Sequence, residues 1–196
     1  RPSDSPKEPL LLSFSSVLID GDSHSRGLAG LVQRMVARKT MVKGMCKPGA
    51  KLLDVTSDRP PPAGSCSVII AGTNDVAAGQ QNNIYRHLER CITGKLKSAG
   101  VVVATLPHRH DLPANHPVNL ETARVNSYIE ELCVRHGRAE VLNFNRIDRE
   151  AFTSHGMHLR PQHKRLLAEL LLESVKRLDT TPSPAAVCES PPPPSG

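Results

Sequence analysis

Aromatic residues are scarce in this sequence, which has no Trp, two Tyr and three Phe among 196 residues. Proteins that bind single-stranded nucleic acid usually stack bases on aromatic side chains, so this scarcity argues against that class. No stretch approaches the ~20 apolar residues that a membrane-spanning helix needs, and we expect no membrane span. The first residues, RPSDSPKEP, lack the basic-then-apolar order of a signal peptide. Because position 1 is Arg rather than Met, we expect a piece of a longer polypeptide.

Signals for disulfides, metals and nucleotides are also missing. The five cysteines are scattered and form no C-x-x-C pair: Cys46, Cys66, Cys91, Cys133 and Cys188. Reduced thiols and a cytoplasmic or nuclear location are therefore expected. Three histidines (His108, His110 and His116) share one segment, but no nearby Cys or Glu completes a zinc site. The usual phosphate-binding glycine motifs are absent as well, so we predict no metal and no cofactor.

The positive charge lies in the middle of the chain. The formal net charge is +6; residues 1–12 hold two basic and two acidic residues, and residues 179–196 hold Asp179 and Glu189, which leaves +8 on residues 13–178. A basic surface favours anionic partners in a general way, so contact with nucleic acid or an acidic protein is one expectation.

Proline content marks both ends of the chain. The last seventeen residues hold six prolines and few groups to bury, and Pro2, Pro6 and Pro9 lie near the start. We predict a flexible linker over 1–12, one folded domain over 13–178 and a Pro-rich disordered tail over 179–196.

Between these ends, strand-like and helix-like segments alternate. Short runs rich in β-branched residues predict strands at 16–20, 40–43, 67–71, 101–106 and 141–144. Apolar residues at helical spacing fall within 28–36, 84–96, 125–133 and 167–178. This alternation predicts parallel strands with right-handed crossovers. We expect a three-layer α/β/α domain of flavodoxin-like type on a five-stranded parallel sheet of order 2-1-3-4-5, with its chemistry at the carboxyl ends of the strands.

A serine follows the first predicted strand directly, in the block GDSHSRG. Ser23 would lie at a strand-to-helix turn, where backbone N–H groups stabilise an oxyanion. Serine is also an ordinary N-cap residue, and the block by itself is compatible with that role.

Three further blocks follow later strands. Asn74 lies in GTND after the third, and its amide could donate into the same crevice, although Asn is also a common turn residue. The segment after the second strand, KGMCKPGA, contains Gly44 and Gly49. His158, in HGMHL before the last helix, could serve as a general base for Ser23.

In this order, the four blocks resemble those of the SGNH hydrolases, the GDSL-type esterases and lipases. The resemblance covers residues 16–178. It implies Ser23 as nucleophile, His158 as base, and the Gly49 backbone N–H and the Asn74 amide as oxyanion donors beside the Ser23 N–H. Gly44 is the alternative to Gly49. The residues in and around these blocks most resemble those of esterase-type domains encoded by retroelements of animals.

One position departs from the family pattern. Three residues before the catalytic histidine the family has an aspartate, whereas this chain has His155. An imidazole can accept a hydrogen bond from His158, but it supplies no negative charge. Three alternatives remain: a slower Ser–His dyad, a triad completed by Asp148 or Asp111, and a fold that has lost catalysis.

The sequence thus predicts a serine esterase of SGNH type that hydrolyses a small acyl ester, such as an acetyl ester, through Ser23 and His158. The alternative is a catalytically weak or inactive SGNH-fold module whose basic surface docks on nucleic acid or an acidic partner.

Overall fold

The computed structural model describes residues 8–55, 60–79, 81–96 and 100–181. Five strands form one sheet: β1 (Ser16–Gly21), β2 (Met41–Cys46), β3 (Ser65–Ile70), β4 (Gly100–Ala104) and β5 (Ala139–Leu142). Every pairing in it is parallel and the order is β2-β1-β3-β4-β5, which confirms the predicted sheet.

In the described part of the chain, six α-helices flank the sheet. They are α1 (Leu28–Gln33), α2 (Leu52–Val55), α3 (Thr73–Ala77), α4 (Gln81–Leu96), α5 (Pro117–His136) and α6 (Lys164–Thr180). The short helices α2 and α3 were not predicted, because four or five residues are too few to show a helical period.

The two faces of the sheet carry two separate cores because successive strand residues point to opposite sides. Val68 packs on the face covered by α1 and α6, whereas its neighbour Ile69 packs on the face covered by α2 to α5. Val102 and Val103 divide in the same way. Helices on both faces of a parallel sheet make the three-layer α/β/α architecture.

Register, rather than local propensity, determines where the strands end. We predicted the second strand over 40–43, but Gly44, Met45 and Cys46 continue the ladder by pairing with β1 up to Gly21. The predicted strand over 101–106 stops at Ala104, and the one over 141–144 lies two residues earlier. These shifts move the starts of the loops after β2, β4 and β5 by two to three residues.

The domain also begins earlier and ends later than predicted. The Leu10 N–H donates to Met35 O (2.8 Å) and Leu12 is 2% exposed, so both belong to the fold rather than to a linker. At the other end, α6 continues past residue 178, and the Asp179 carboxylate accepts from the Ser13 N–H and hydroxyl. Residues 1–7 of the predicted linker and residues 182–196 of the predicted tail lie outside the described residues.

This topology opens a crevice at the carboxyl end of the sheet. The chain leaves β1 on one side to form β2 and later returns on the other side as β3. The loops after β1 and β3 therefore diverge, and such a switch point is where open α/β sheets bind ligands. Ser23 follows β1, and Asn74 follows β3.

Candidate active site

The turn after β1 presents Ser23 at the mouth of the crevice. Asp22 caps a short 3₁₀ turn, Ser23–Ser25, by accepting from the His24 N–H (2.9 Å). Gly21 has no room for a side chain, because a Cβ there would lie 2.8 Å from Ile70 O. The chain can therefore turn sharply from strand to helix and leave the Ser23 hydroxyl in the crevice.

Ser23 and His158 are hydrogen-bonded although 134 residues separate them in the chain. The Ser23 Oγ lies 3.0 Å from His158 Nε2. This is the distance at which a neutral imidazole accepts the proton of a serine nucleophile. The structure thus brings together the two residues that the motifs singled out.

His158 is carried by a tight loop between two 3₁₀ turns, Arg149–Ala151 and Pro161–His163. Phe152 and Leu159 form an isolated antiparallel bridge, and the Thr153 N–H donates to His158 O (2.7 Å). Gly156 lies at the tip with φ +72°, and a Cβ there would be 2.8 Å from the backbone of His110 and Asp111. Only glycine fits this turn without displacing the neighbouring loop.

The surroundings of His158 disfavour its protonated form. Burial, followed by the positive charges of Lys164, Arg26 and Arg109, lowers the pKa of His158. The imidazole is thus neutral near pH 7 and free to accept a proton. The same three cations oppose the imidazolium that proton transfer would create.

No carboxylate within the described part of the chain hydrogen-bonds to His158. His155 is exposed and forms no hydrogen bond with it. The Asp111 carboxylate pairs with the Arg109 guanidinium through two bonds of 2.7 and 2.6 Å. Asp148 lies at the start of another 3₁₀ turn and makes no side-chain cap bond there. The ring of His24 packs on the ring of His158, with centroids 5.1 Å apart.

Gly49 and Asn74 line the same cleft as Ser23 and His158. Gly49 lies in a turn after β2 with φ +73°. The Asn74 Nδ2 donates to Ala50 O (2.9 Å), and since an amide group has two N–H donors, one remains for a ligand. Asn74 lies in α3 rather than in a loop.

Gly44 lies away from the cleft. It pairs with Ile19 inside the sheet, and a Cβ at this position would lie 2.7 Å from Ala29 Cβ. Its small size therefore lets β2 and α1 approach closely. Of the two glycines left open by the sequence, only Gly49 borders the cleft.

Two buried acids support the loops beneath the cleft. Burial raises the pKa of the Asp22 carboxyl to about 6, while its bond from the His24 N–H and the charge of Lys164 oppose that rise. Asp75 accepts from the Leu52 N–H (2.9 Å) and so ties α3 to α2. These carboxylates hold the backbone on both sides of the crevice.

The cleft itself measures about 760 Å³ and includes two cations that the motifs did not indicate. Arg26 and Lys164 line it together with Ser23 and His158. The third cation that acts on His158, Arg109, is paired with Asp111. The only sequence signal that Arg26 would line the cleft is its position three residues after Ser23.

Among the described residues, no group of three or more His, Cys, Asp or Glu side chains could hold a metal ion. His116 instead caps α5 by accepting from the Val118 N–H, and His110 packs edge-on against Phe152. Within the same part of the chain, no helix is long and apolar enough to cross a membrane.

Solved structures that superpose on this chain include esterases and an O-acetyltransferase. A member of the lipolytic G-D-S-L family from Veillonella parvula superposes with a TM-score of 0.71 at 17% identity, covering 86% of this chain and 100% of that one. The catalytic domain of peptidoglycan O-acetyltransferase A from Streptococcus pneumoniae gives 0.67 at 12%, covering 87% and 97%. An acetyl xylan esterase gives 0.67 at 16%, covering 82% and 99%.

The chain therefore has the fold of the SGNH hydrolases, as its four sequence blocks predicted. No protein-family model and no curated protein matches the sequence. The narrower resemblance to retroelement-encoded esterase domains stays a prediction.

Proposed function

We propose that this protein is a serine esterase that hydrolyses small acyl esters, acetyl esters among them. The observation that carries the proposal is the 3.0 Å hydrogen bond between the Ser23 hydroxyl and His158 Nε2 in an open cleft. Acetyl esters are favoured because an acetyl xylan esterase and a peptidoglycan O-acetyltransferase share the fold.

In the proposed reaction, Ser23 Oγ attacks the ester carbonyl while His158 Nε2 takes its proton. The tetrahedral oxyanion accepts hydrogen bonds from the Ser23 N–H, the Gly49 N–H and the Asn74 amide. His158 then protonates the leaving alcohol, and a water molecule activated by His158 releases the acyl group from Ser23. Each oxyanion donor should contribute about 10²–10³ in kcat.

The reaction should be slow with a neutral ester. In serine proteases, replacing the triad aspartate by an uncharged residue lowers kcat by about 10⁴. His158 has no such carboxylate among the described residues, and three cations oppose its protonation. The oxyanion donors and the hydroxyl–imidazole pair would then supply the remaining rate enhancement.

A fluorophosphonate probe tests the proposal without knowledge of the substrate, because such probes react only with an activated serine. We expect the parent protein to be labelled and to hydrolyse p-nitrophenyl acetate, and Ser23→Ala to lose both. Ser127→Ala is the matched control, since Ser127 is an exposed serine that bonds to Ala123 O on α5.

Two outcomes would contradict the esterase. One is an unlabelled parent protein with no turnover above the background rate. The other is labelling that persists in Ser23→Ala. Salt-dependent retention of an unlabelled protein on heparin would favour the binding-module alternative instead.

A further inference from the structure

The cleft beside Ser23 contains an arginine, Arg26, that has no counter-ion among the described residues. Arg26 is exposed and lines the cleft, and within residues 8–55, 60–79, 81–96 and 100–181 its guanidinium makes no hydrogen bond or ion pair. Several other surface arginines are paired with acidic side chains. For example, Arg146 bonds to Glu173 and Arg177 bonds to Glu140. Arg26 therefore has its five donors available to a ligand.

Lys164 adds a second positive charge to the same cleft. Its Nζ donates to His24 O (2.5 Å), which leaves further donors free on the ammonium group. Burial and the charge of Arg26 lower the pKa of Lys164, against opposing effects of Cys46 and Asp22. The two cations are thus close enough to repel each other.

No acidic side chain among the described residues lines this cleft. The acid that acts on Lys164 is Asp22, which is 1% exposed and lies beneath the turn. The remaining wall is largely apolar, with Leu31, Met157 and Leu159. The cleft therefore has an apolar surface next to two cations, and no carboxylate among the described residues faces these cations from inside the cleft.

We propose that the ester substrate carries a negative charge, a carboxylate or phosphate group, that binds between Arg26 and Lys164 beside an apolar part of the same molecule. This inference rests on the proposed esterase function and adds the substrate class to it. An arginine fork binds such oxyanions through two parallel hydrogen bonds. The bound anion would also offset the positive charge around His158.

Matched pairs of aryl esters test the proposal. In one pair the leaving alcohol differs: 4-acetoxybenzoate against 4-acetoxybenzamide. In the other the acyl group differs: the p-nitrophenyl monoester of adipic acid against its terminal amide. Within each pair only the charge changes, and the pair that responds identifies whether the acyl group or the alcohol carries the anion.

We expect the parent protein to prefer the anionic member of at least one pair in kcat/KM. Arg26→Gln should lower that anionic-to-neutral ratio about tenfold, which corresponds to one charge-assisted hydrogen bond. Arg26→Lys should retain part of the preference because the charge remains. Raising KCl from 0.15 to 1 M should reduce the ratio in the parent protein.

Arg86→Gln is the control for the overall charge of the protein. Arg86 is an exposed arginine on α4 that does not line the cleft, and it bonds to Asn83. It should leave the ratio unchanged. Equal ratios in the parent protein and Arg26→Gln for both pairs would overturn the proposal while leaving the esterase function intact.

Binding by Ser23→Ala separates the two proposals, because it requires no turnover. Isothermal titration of Ser23→Ala should show that the anionic member of at least one pair binds more tightly than the neutral member. The pairs are 4-acetoxybenzoate with 4-acetoxybenzamide, and the adipate monoester with its amide. Adding Arg26→Gln should abolish the difference. If the parent protein hydrolyses none of the esters, the esterase function fails. Equal binding within both pairs would overturn the anion site in either case.

Discussion

At the scale of single residues, the charge around His158 is the most unusual feature of the site. A base that must become an imidazolium during the reaction is placed near Lys164, Arg26 and Arg109, with no carboxylate bonded to it in the described ranges. Neutral imidazole is favoured in the resting state, but the protonated intermediate is not. Substitutions that change this charge balance should therefore act mainly on kcat.

We predict that His155→Asp raises kcat for p-nitrophenyl acetate at least tenfold. The new carboxylate would stand three residues before His158, where the SGNH pattern has its aspartate, and would stabilise the imidazolium after proton transfer. Because that charge acts only after the proton has moved, KM should change little. Steady-state kinetics measures both constants.

His155→Asn is the matched control, since it has the shape of Asp without the charge. An Asp variant no faster than the Asn variant would contradict the dyad interpretation. In that case another carboxylate would be the orienting group, and Asp148→Asn or Asp111→Asn should lower kcat far more than His155→Ala does.

Asp22 permits a prediction about stability and pH. Burial raises the pKa of the Asp22 carboxyl to about 6 in the folded state, from an ordinary value of 3.8. The folded state thus holds this proton more tightly than the unfolded state, so the contribution of Asp22 to stability falls as pH rises from about 4 to 6. Above pH 6 the ionised Asp22 lowers the free energy of unfolding by up to about 3 kcal/mol.

Asp22→Asn should therefore increase the free energy of unfolding at pH 7 to 8, because the amide oxygen can still accept from the His24 N–H. The gain should disappear below pH 4, where the parent carboxyl is protonated in both states. Urea unfolding of both proteins from pH 3 to 8 measures the difference. A gain that is independent of pH would exclude titration of Asp22 as its cause.

At the scale of elements, the loop that carries His158 depends on the glycine at its tip. Gly156 combines a positive φ with the close approach of His110 and Asp111, and its carbonyl accepts from the His110 N–H (3.3 Å). The loop after β4 and the loop before α6 are therefore packed backbone to backbone. The position of the base depends on this contact as much as on its own turn.

We predict that Gly156→Ala lowers the free energy of unfolding by about 1–3 kcal/mol and also lowers kcat, because the added Cβ displaces the His158 loop. Thermal unfolding and p-nitrophenyl acetate turnover measure the two effects. Gly137→Ala is the control: Gly137 also has a positive φ, at the end of α5, but has no atom within 4 Å of an added Cβ.

Gly137→Ala should therefore cost about 1 kcal/mol in stability and leave kcat unchanged. If Gly156→Ala behaves in the same way, the crowding at His110 does not position His158.

At the scale of the whole molecule, the core includes an apolar residue that lies close in sequence to the prolines near the N-terminus. Leu12 packs in the core with Phe14, on the face of the sheet covered by α1 and α6, while Leu11 beside it is 70% exposed. The first ordered segment thus helps to close one of the two cores.

We predict that deleting residues 182–196 changes the melting temperature by no more than a few degrees, because that segment has few apolar side chains to contribute.

In contrast, Leu12→Ala should lower the free energy of unfolding by about 2–5 kcal/mol. Leu11→Ala should change it by less than about 0.5 kcal/mol. A large loss of stability on deleting the tail would show that it packs on the domain.

Much of the architecture was determined by sequence pattern alone. Alternating strand and helix periods imply parallel strands, and parallel strands present all their carboxyl ends at one edge. Ser23, Asn74 and His158 each follow or lie near such an end, so their convergence could be predicted without distances. The predicted sheet order, 2-1-3-4-5, is one of the two common orders for such an alternation.

Only the tertiary structure decided what depends on contacts between distant residues. Hydrogen-bond register placed the ends of the strands, and the packing of Ala29 on Gly44 left Gly49 as the glycine at the cleft. Asp111 pairs with Arg109, while Arg26 and Lys164 face one cleft without a carboxylate among its described walls. Such pairings cannot be predicted from local sequence, because the charged neighbours of a side chain are residues that only folding brings close to it.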